Sequence, residues 1–303
     1  MSLGAIPGTG PATSPLSVIR KIKPKTFADL PTDRTLVMGI LNVTADSFSD
    51  GGKYLDSGAA IEQGLKMLYS GADIIDVGGE STRPGAADVD PRTEQQRILP
   101  VITALVKAGA VISVDTMHVE TARAAINAGA HIINDVSGLT YEPGMPELIA
   151  QTGVPYVLMH RRGTASDMVT KATYDDVVTE VIEEMSALRE VFRAAGVKDE
   201  QLIMDPGLGF AKDAQHNWDL LKNMKRFEDM GHRVLVGTSR KRFLGELLAE
   251  AGTSREATGR DVATAATTLL AAQENVWAVR VHDVVGSRDV LAVHHAMTDG
   301  STH

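Results

Sequence analysis

The sequence predicts an α/β fold, namely a single (β/α)8 TIM barrel. Short runs rich in Val and Ile recur eight times from Thr35 onward, and stretches with helical periodicity lie between them. Eight such units over about 260 residues match both the strand count and the length of this barrel. A doubly wound parallel sheet is the alternative, because periodicity does not reveal whether a sheet closes. The count of eight strands favours the barrel.

The strand candidates are nearly continuous apolar runs, which are typical of parallel strands buried on both faces. In chain order they lie at residues 36–41, 74–77, 111–114, 132–135, 156–159, 202–204, 234–236 and 278–281. The helix candidates between them include residues 59–69, 94–106, 119–127, 174–195, 217–228, 256–272 and 284–297. Thr253 and Glu256 have the spacing of a capping box, which predicts a helix start there.

Two segments of unlike composition divide the chain. Residues 1–33 are rich in Pro, Ser, Thr and Gly and show no periodicity, so we expect a flexible or surface-draped N-terminal extension. Residues 34–303 hold the whole repeating pattern and are predicted to form the catalytic barrel. No second domain is required.

Composition and charge exclude several classes of protein. The 303 residues include no Cys, which excludes a disulfide framework, a zinc–thiolate site and a cysteine nucleophile. No apolar run approaches the roughly 20 residues of a membrane span, and the N-terminus lacks the order of a secretory signal. We therefore expect a cytoplasmic protein without a membrane partner. The net charge of −9 disfavours nucleic acid, and it repels an anionic substrate unless a local basic cluster reverses the field.

Polar residues stand at or near the end of every predicted strand. In a barrel the carboxyl ends of the strands converge on one face, where the loops between strands and helices build the active site. A single Asp in such a place is more often a helix cap or a loop-fixing acceptor, but eight in succession indicate a site. They are Asn42, Asp76, Asp115, Asn134, His160, Asp205, Ser239 and Arg280 with His282.

Three of these residues have the chemistry to bind a flat nitrogen heterocycle. The carboxylates of Asp115 and Asp205 accept hydrogen bonds, and the carboxamide of Asn134 both donates and accepts. At the mouth of an apolar barrel such a set suits the polar edge of a heterocyclic ring. The alternative is a buried polar network that stabilises the strand ends.

The loop after the seventh strand is predicted to bind an anion. Residues 237–245 place three consecutive cations beside Gly and two hydroxyls, at the start of a short helix. The N-terminus of a helix supplies N–H groups and positive potential, and barrels often hold phosphate near strands seven and eight. Arg280 and His282 are two residues apart on the eighth strand, so they point to the same side and add donors. A solvated charge run is the alternative.

The loops after the first and second strands are long and shaped by Gly and Pro. We expect Asp46, Ser47, Asp50, Thr82 and Arg83 to lie on loops that close over substrate. Two other segments are weaker candidates for a functional site. Residues 205–210 are Gly-rich but lack the Rossmann spacing, which excludes dinucleotide binding. Residues 161–163 are interpreted as a solvated turn.

Together these motifs resemble the dihydropteroate synthase family, from about Thr35 to the last helix. Several long motifs occur in the order that the family has them, which makes the resemblance highly specific. They are residues 39–44 with 47–52, residues 76–85, residues 205–207, residues 239–241 and residues 280–282. Two positions depart from the family: Ala45 stands where Pro is frequent, and Arg242 stands where many members have a Ser.

The resemblance implies a transferase of folate biosynthesis and a sulfonamide target. Such an enzyme condenses 6-hydroxymethyl-7,8-dihydropterin pyrophosphate with p-aminobenzoate to give 7,8-dihydropteroate and pyrophosphate. It implies Mg²⁺ on the pyrophosphate with Asn42 near the metal, and Asp50, Arg83 and Lys241 as catalytic residues.

The resemblance also assigns the residues that bind each part of the substrates. The pterin would be held by Asp115, Asn134, Asp205 and Lys241, with Met159 against its ring. The pyrophosphate would be held by Arg83, Arg280 and His282. The p-aminobenzoate pocket would be lined by Thr82, Pro84, Phe210 and Ser239.

Two other functions are alternatives. A pterin-binding methyltransferase has a similar barrel, but it has no pyrophosphate for the loop at residues 81–84 or the cations at residues 239–241 to bind. A non-catalytic paralogue would not require Asp50, Arg83, Lys241 and His282.

A helix dense in small residues, around residues 263–272, predicts either close packing on the barrel or a homodimer contact.

Overall fold

Eight strands of four to seven residues form the centre of the fold. The computed structural model describes residues 25–44, 53–81 and 89–298. The strands are β1 (Leu36–Asn42), β2 (Ile74–Gly78), β3 (Val111–Asp115), β4 (Ile132–Asp135), β5 (Tyr156–Met159), β6 (Leu202–Asp205), β7 (Arg233–Val236) and β8 (Ala278–Val281). Each pairs in parallel with the next, and β8 pairs with β1, where Leu36 lies opposite Ala278. The predicted (β/α)8 barrel is therefore confirmed, and the open doubly wound sheet is excluded.

Helices connect the strands and surround the barrel. Those in the described residues are α1 (Lys53–Tyr69), α2 (Pro91–Lys107), α3 (Val119–Asn127), α4 (Met145–Thr152), α5 (Val177–Ala194), α6 (Ala214–Lys222), α7 (Met224–Glu228), α8 (Arg242–Leu247), α9 (Asp261–Gln273) and α10 (Val284–Thr298). No helix among these residues is long and apolar enough to cross a membrane.

Two helix predictions were wrong. The helix expected from Glu256 starts as a 3-10 helix at Ala257–Arg260, and the α-helix itself begins at Asp261. Thr253 does not cap it, since its backbone exchanges hydrogen bonds of 2.9 and 3.0 Å with Glu250 in an isolated bridge. The helix expected over residues 217–228 is two helices. Asn223 leaves helical geometry between them, with φ −111° and ψ 25°.

The barrel interior is apolar at its N-terminal end. Side chains alternate across a strand, and one residue or two from every strand meet there in a buried cluster. Its strand members are Leu36, Met38, Ile74, Val111, Ile132, Val157, Ile203, Leu235 and Ala278. A larger apolar cluster fills the space between the outer faces of the strands and the helices.

Residues 25–33, the last part of the predicted extension, pack under the barrel. Leu30 joins the inner cluster, and the ring of Phe27 lies 5.9 Å from that of Trp277. Residues 1–24 lie outside the described part of the chain, so the flexible extension stays a prediction.

Candidate active site

The polar site residues lie two positions beyond the apolar cluster along the strands. Ile74 is followed by Asp76, Ile132 by Asn134, Ile203 by Asp205 and Ala278 by Arg280. Because residues i and i+2 share one face of a strand, this spacing turns the polar side chains into the C-terminal mouth of the barrel. The alternation of the sequence therefore builds an apolar floor with a polar layer above it.

Arg280 bonds polar side chains of two other strands, and a third strand joins them through Asp76. Its Nε donates to Asp76 at 2.6 Å, and its Nη2 donates to Asp115 at 2.6 Å. The carboxamide of Asn134 donates to the same oxygen of Asp76 at 3.1 Å. Asp76, Asp115 and Asn134 are almost completely buried. The structure thus brings Asp115, Asn134 and Arg280 together as predicted, and it adds Asp76 to them.

Burial and the nearby opposite charges shift the pKa values of these groups in opposite directions. Burial raises the pKa of Asp115 to about 7, against the opposing effect of Arg280, and the neighbouring carboxylate of Asp76 adds to the rise. Burial alone would lower the pKa of Arg280, but Asp76 and Asp115 raise it above its usual value. Burial also raises the pKa of Asp205, opposed by Lys241. The site therefore holds a permanent cation, Arg280, beside the Asp115 carboxyl, which ionises only near neutral pH.

Lys241 reaches the mouth from the loop after β7. Its ammonium donates to the carbonyl of Leu208 and lies 4.8 Å from the centre of the Phe210 ring. Burial lowers the pKa of Lys241 to about 8, and Asp205 opposes the change. The group is thus a half-buried cation at neutral pH, close to the Asp205 carboxyl and to an aromatic ring.

The three consecutive cations after β7 have different roles, contrary to the expectation that they act together. The guanidinium of Arg240 forms two hydrogen bonds with Asp261, of 2.7 and 2.8 Å, which tie the loop to α9. Arg242 is exposed and pairs with Glu246 on its own helix at 3.2 Å. Among the described residues, Lys241 is the one of the three that contacts a predicted substrate-binding group, the ring of Phe210.

Ser239 and His282 form a second polar pair at the mouth. The Ser239 hydroxyl lies 2.9 Å from Nδ1 of His282, and it accepts the backbone N–H of that residue at 3.0 Å. The contact joins the loop after β7 to the end of β8. Both predicted residues are therefore at the C-terminal face.

The remaining predicted residues divide into two groups. Met159 is buried at the end of β5 opposite Asp205, and half-buried Asn42 ends β1 opposite Gly78. The loop residues lie outside the described residues, and their predicted roles are not tested. They are Ala45, Asp46, Ser47, Asp50, Thr82, Arg83 and Pro84.

Two residues at the mouth were missed by the sequence reasoning. Asp76 was named as a strand end but not as part of the binding set, although its inward position two residues after Ile74 is the signal that identifies it. Lys212 was not named at all. Its ammonium is buried 2.9 Å from His160 Nδ1, and nothing in the sequence separates it from a solvated lysine of a loop.

Comparisons with known proteins agree on one family. Residues 38–282 match the family described as pterin binding enzyme. The chain is 51% identical to dihydropteroate synthase of Mycobacterium leprae, over 85% of this chain and 91% of that protein.

Two solved structures share both the fold and the sequence pattern. Xanthomonas albilineans dihydropteroate synthase with 4-aminobenzoic acid is 43% identical with a TM-score of 0.81, over 88% of this chain and 93% of that one. Yersinia pestis dihydropteroate synthase in a sulfonamide drug complex is 38% identical with a TM-score of 0.82, over 89% and 96%. The relatives are synthases rather than methyltransferases, and the chain therefore belongs to the pterin-binding enzyme family, as a dihydropteroate synthase, a transferase of folate biosynthesis.

Proposed function

We propose that the condensation of 6-hydroxymethyl-7,8-dihydropterin pyrophosphate with p-aminobenzoate takes place in the polar layer at the barrel mouth. One observation carries the proposal. Arg280 joins the buried carboxylates of Asp76 and Asp115, with Asn134 on the same oxygen of Asp76. A buried set of acceptors, donors and a cation above an apolar floor matches the polar edge and flat faces of a pterin.

The pterin is proposed to bind between Asp115, Asn134 and Asp205. One oxygen of Asp205 is already taken by the backbone N–H of Gly207 at 2.7 Å, which fixes the direction of the other. Oδ1 of Asp76 is buried without a hydrogen-bond partner among the described residues, so a ring N–H is an expected donor to it. Met159 is proposed to pack on the ring and Lys241 to bind at its edge.

The pyrophosphate is proposed to contact Arg83, Arg280 and His282. Two of the guanidinium nitrogens of Arg280 hold carboxylates, and its Nη1 makes no hydrogen bond to another described residue. That N–H pair is the group we assign to the leaving anion, together with His282, which lies two residues further along the chain. The p-aminobenzoate pocket is proposed to be formed by Thr82, Pro84, Phe210 and Ser239.

The donor set at the end of β1 fits a magnesium ion that arrives with the substrate. Mg²⁺ prefers oxygen ligands and is usually held by one or two protein groups together with phosphate oxygens and water. Asn42 offers a carboxamide oxygen at the rim, and the described residues contain no group of three His, Asp or Glu side chains suited to a metal. Bound there, the ion would neutralise charge on the leaving pyrophosphate.

The proposed reaction breaks one bond and forms another. The C–O bond between the pterin methylene and the pyrophosphate breaks, and the leaving anion takes the bonding electron pair. Arg280, His282 and Lys241 stabilise the charge that develops, while the carboxylates near the pterin stabilise the positive charge left on the methylene carbon. The amine nitrogen of p-aminobenzoate attacks that carbon and loses its proton to water or to the released pyrophosphate. No protein nucleophile is needed, and Asp50, Arg83 and Lys241 are proposed to assist the reaction without bonding to the substrate carbon.

A turnover assay tests this function and excludes the non-catalytic alternative. Purified protein with Mg²⁺ is expected to form 7,8-dihydropteroate and one pyrophosphate for each product molecule. Omission of either substrate should abolish both signals. Pyrophosphate release that continues without p-aminobenzoate would mean hydrolysis rather than condensation.

The ionisation of Asp115 predicts how pterin binding depends on pH. Because burial raises the pKa of Asp115 to about 7, the carboxyl is protonated below that pH and accepts hydrogen bonds poorly. We expect pterin affinity, measured by calorimetry, to rise between pH 6 and 8. An Asp115→Asn variant should bind more weakly and lose this part of the rise. If pterin affinity rose equally with pH in the variant and in the unaltered protein, the assignment of Asp115 would be contradicted.

We propose that the chain is a homodimer through α9 and α10. Val262, Ala266 and Leu270 form an exposed stripe on α9, and Val285, Val293 and Met297 are exposed on α10. The two helices pack against each other, whereas Ala271 and Ala272 are buried against the barrel. An apolar face of this extent is typical of an association surface.

A charge placed on this stripe is expected to separate the dimer. Sedimentation equilibrium should give twice the chain mass for the unaltered protein and for Val191→Glu, a control on α5, where Val191 is also exposed. Leu270→Glu should give the mass of one chain. A single-chain mass for the unaltered protein across concentrations would reject the dimer.

Two further properties belong to this proposal. Inhibition by sulfonamides is expected, since a relative 38% identical forms a sulfonamide complex. The cytoplasmic localisation expected from the sequence stays a prediction, which fractionation of cells would test.

A further inference from the structure

The loop from Asp205 to Lys212 has a backbone that needs an anchor. Gly207, Gly209 and Ala211 all have left-handed φ values, of 68°, 79° and 50°. A Cβ at Gly207 would overlap the carbonyl oxygen of His160, so the loop is pressed against the end of β5. A left-handed alanine costs conformational energy, and such a backbone persists only where surrounding contacts hold it.

Lys212 supplies the anchor at the end of this loop. Its buried ammonium donates to Nδ1 of His160 at 2.9 Å, to the carbonyl of Phe210 at 3.0 Å and to the carbonyl of His160 at 3.5 Å. An ammonium has three N–H donors, and each has an acceptor here. The group is fully used inside the protein and is not a candidate for substrate contact.

The contacts of Lys212 continue outward to α5. Nδ1 of His160 accepts from the ammonium, so Nε2 carries the ring proton and donates to Glu184 at 2.8 Å. Glu184 also accepts from Nε of Arg162 at 3.0 Å. Burial lowers the pKa of His160 to about 4, so the ring is neutral and this tautomer holds at neutral pH.

Arg162 is linked back to the same loop through Tyr174. Its guanidinium lies 4.0 Å above the ring of Tyr174, and the Tyr174 hydroxyl donates to the carbonyl of Ala211 at 3.0 Å. The interpretation of residues 161–163 as a solvated turn was therefore wrong. Arg162 is held by Glu180 and Glu184 on α5, partners that are remote in sequence.

On its inner side the same loop contacts Lys241. The carbonyl of Leu208 accepts from the Lys241 ammonium, and the Phe210 ring lies beneath it. Asp205 starts the loop. A shift of the loop by even one ångström would therefore move three groups that the proposed function assigns to the two substrates.

We propose that Lys212 is a positioning residue of this enzyme. It fixes the Asp205–Lys212 loop against His160, so that Asp205, Phe210 and Lys241 are held in the arrangement that binds the pterin and the p-aminobenzoate. The inference rests on the proposed function. Misplacement of reacting groups by about one ångström can cost as much as 100-fold in rate, which is the scale of effect that loss of this anchor brings.

The surroundings of Lys212 bring its pKa close to neutral, so its charge depends on pH. Burial lowers its pKa to about 7, with Lys241 and Arg162 adding to the fall and the carboxylates of Asp205 and Glu184 opposing it. The facing ring of His160 stays neutral. As the pH rises through 7 the ammonium loses a proton and one donor, so the anchor weakens on the alkaline side.

A Lys212→Met variant tests the proposal, with Lys222→Met on the exposed face of α6 as its control. We expect kcat/KM for p-aminobenzoate to fall between about 10-fold and 100-fold, mainly through KM. The alkaline decline of kcat/KM should begin at a higher pH than in the unaltered protein, because the group that titrates near 7 is gone. Amide exchange at residues 207–210 should accelerate, while exchange in β6 stays unchanged.

The exchange measurement separates the two proposals. An unaltered protein without turnover would reject the proposed function, whereas the exchange rates would still report on the anchor. The positioning role would be overturned if Lys212→Met matched Lys222→Met in its kinetic constants, in the pH of its alkaline decline and in its amide exchange rates.

If Lys212→Met does not fold, the variant Tyr174→Phe tests the role instead. This variant removes only the hydrogen bond from the Tyr174 hydroxyl to the Ala211 carbonyl. We expect kcat/KM and the amide exchange rates to change in the same directions as for Lys212→Met, by roughly a third or less on a logarithmic scale. No change in either would overturn the positioning role.

Discussion

Replacement of Lys241 with alanine is expected to lower kcat/KM by roughly 10²- to 10³-fold or more, the range that follows loss of one preorganised group at a developing charge. The Lys241 ammonium is a half-buried cation between the Leu208 carbonyl and the Phe210 ring. Burial lowers its pKa to about 8, so it is charged at pH 7. Steady-state kinetics with both substrates measure the loss.

The fold should survive this substitution. Helix α8 begins directly after Lys241, but the side chain makes no capping hydrogen bond there. We expect the circular dichroism spectrum and the melting temperature to stay close to those of Lys225→Ala, a control on the exposed side of α7. Activity at the level of that control would reject the role assigned to Lys241.

Replacement of Arg280 with methionine is expected to reduce stability as well as activity. The guanidinium is the charged partner of Asp76 and Asp115, both of which are buried. Removal of one partner from a buried ion pair typically costs about 3–5 kcal/mol of unfolding free energy, because the remaining charge is left in a low dielectric. Urea denaturation at pH 8 measures the loss.

The size of that loss should depend on pH in a definite direction. Burial has already raised the pKa of Asp115 to about 7, compared with about 3.9 for an unfolded chain. A raised carboxyl pKa means that the folded state binds the proton more tightly, so stability is lost as the pH rises from about 4 through 7. Loss of Arg280 raises this pKa further, and the deficit should therefore be smaller at pH 5.5 than at pH 8.

Two variants complete this experiment. Arg193→Met removes an exposed arginine of α5 and should leave stability within about 0.5 kcal/mol of the unaltered protein. Adding Asp76→Asn to Arg280→Met removes one of the two unpaired charges and should restore part of the lost stability. A deficit of equal size at both pH values, with no recovery in the double variant, would show that the ion pairs do not carry the effect.

The sequence alone predicted the barrel because its signal is local. Each parallel strand is buried on both faces and reads as a short apolar run, so all eight strands were found to within one residue or so of their observed ends. Polar residues such as Asn134 and Arg280 stand at or near the ends of these runs, and this position predicted that they lie at the mouth. Their convergence then follows from closure of the barrel, which the count of eight strands favours.

Features that depend on distant contacts were not predictable in this way. Asp76 and Arg280 are joined although they lie 204 residues apart in the sequence, and no spacing rule relates them. The division of labour among Arg240, Lys241 and Arg242 depends on the bend after β7, where Arg240 has a φ of 58°. Lys212 is buried because His160 and α5 surround it, which only the folded chain shows.

The most direct test of this account is a crystal structure of the protein with a non-hydrolysable analogue of the pterin pyrophosphate. We predict that the pterin edge lies within hydrogen-bond distance of Asp115, Asn134 and Asp205, with the ring over the apolar floor and the pyrophosphate near Arg280 and His282. A pterin bound with none of these three residues, while the protein still forms 7,8-dihydropteroate, would contradict the account.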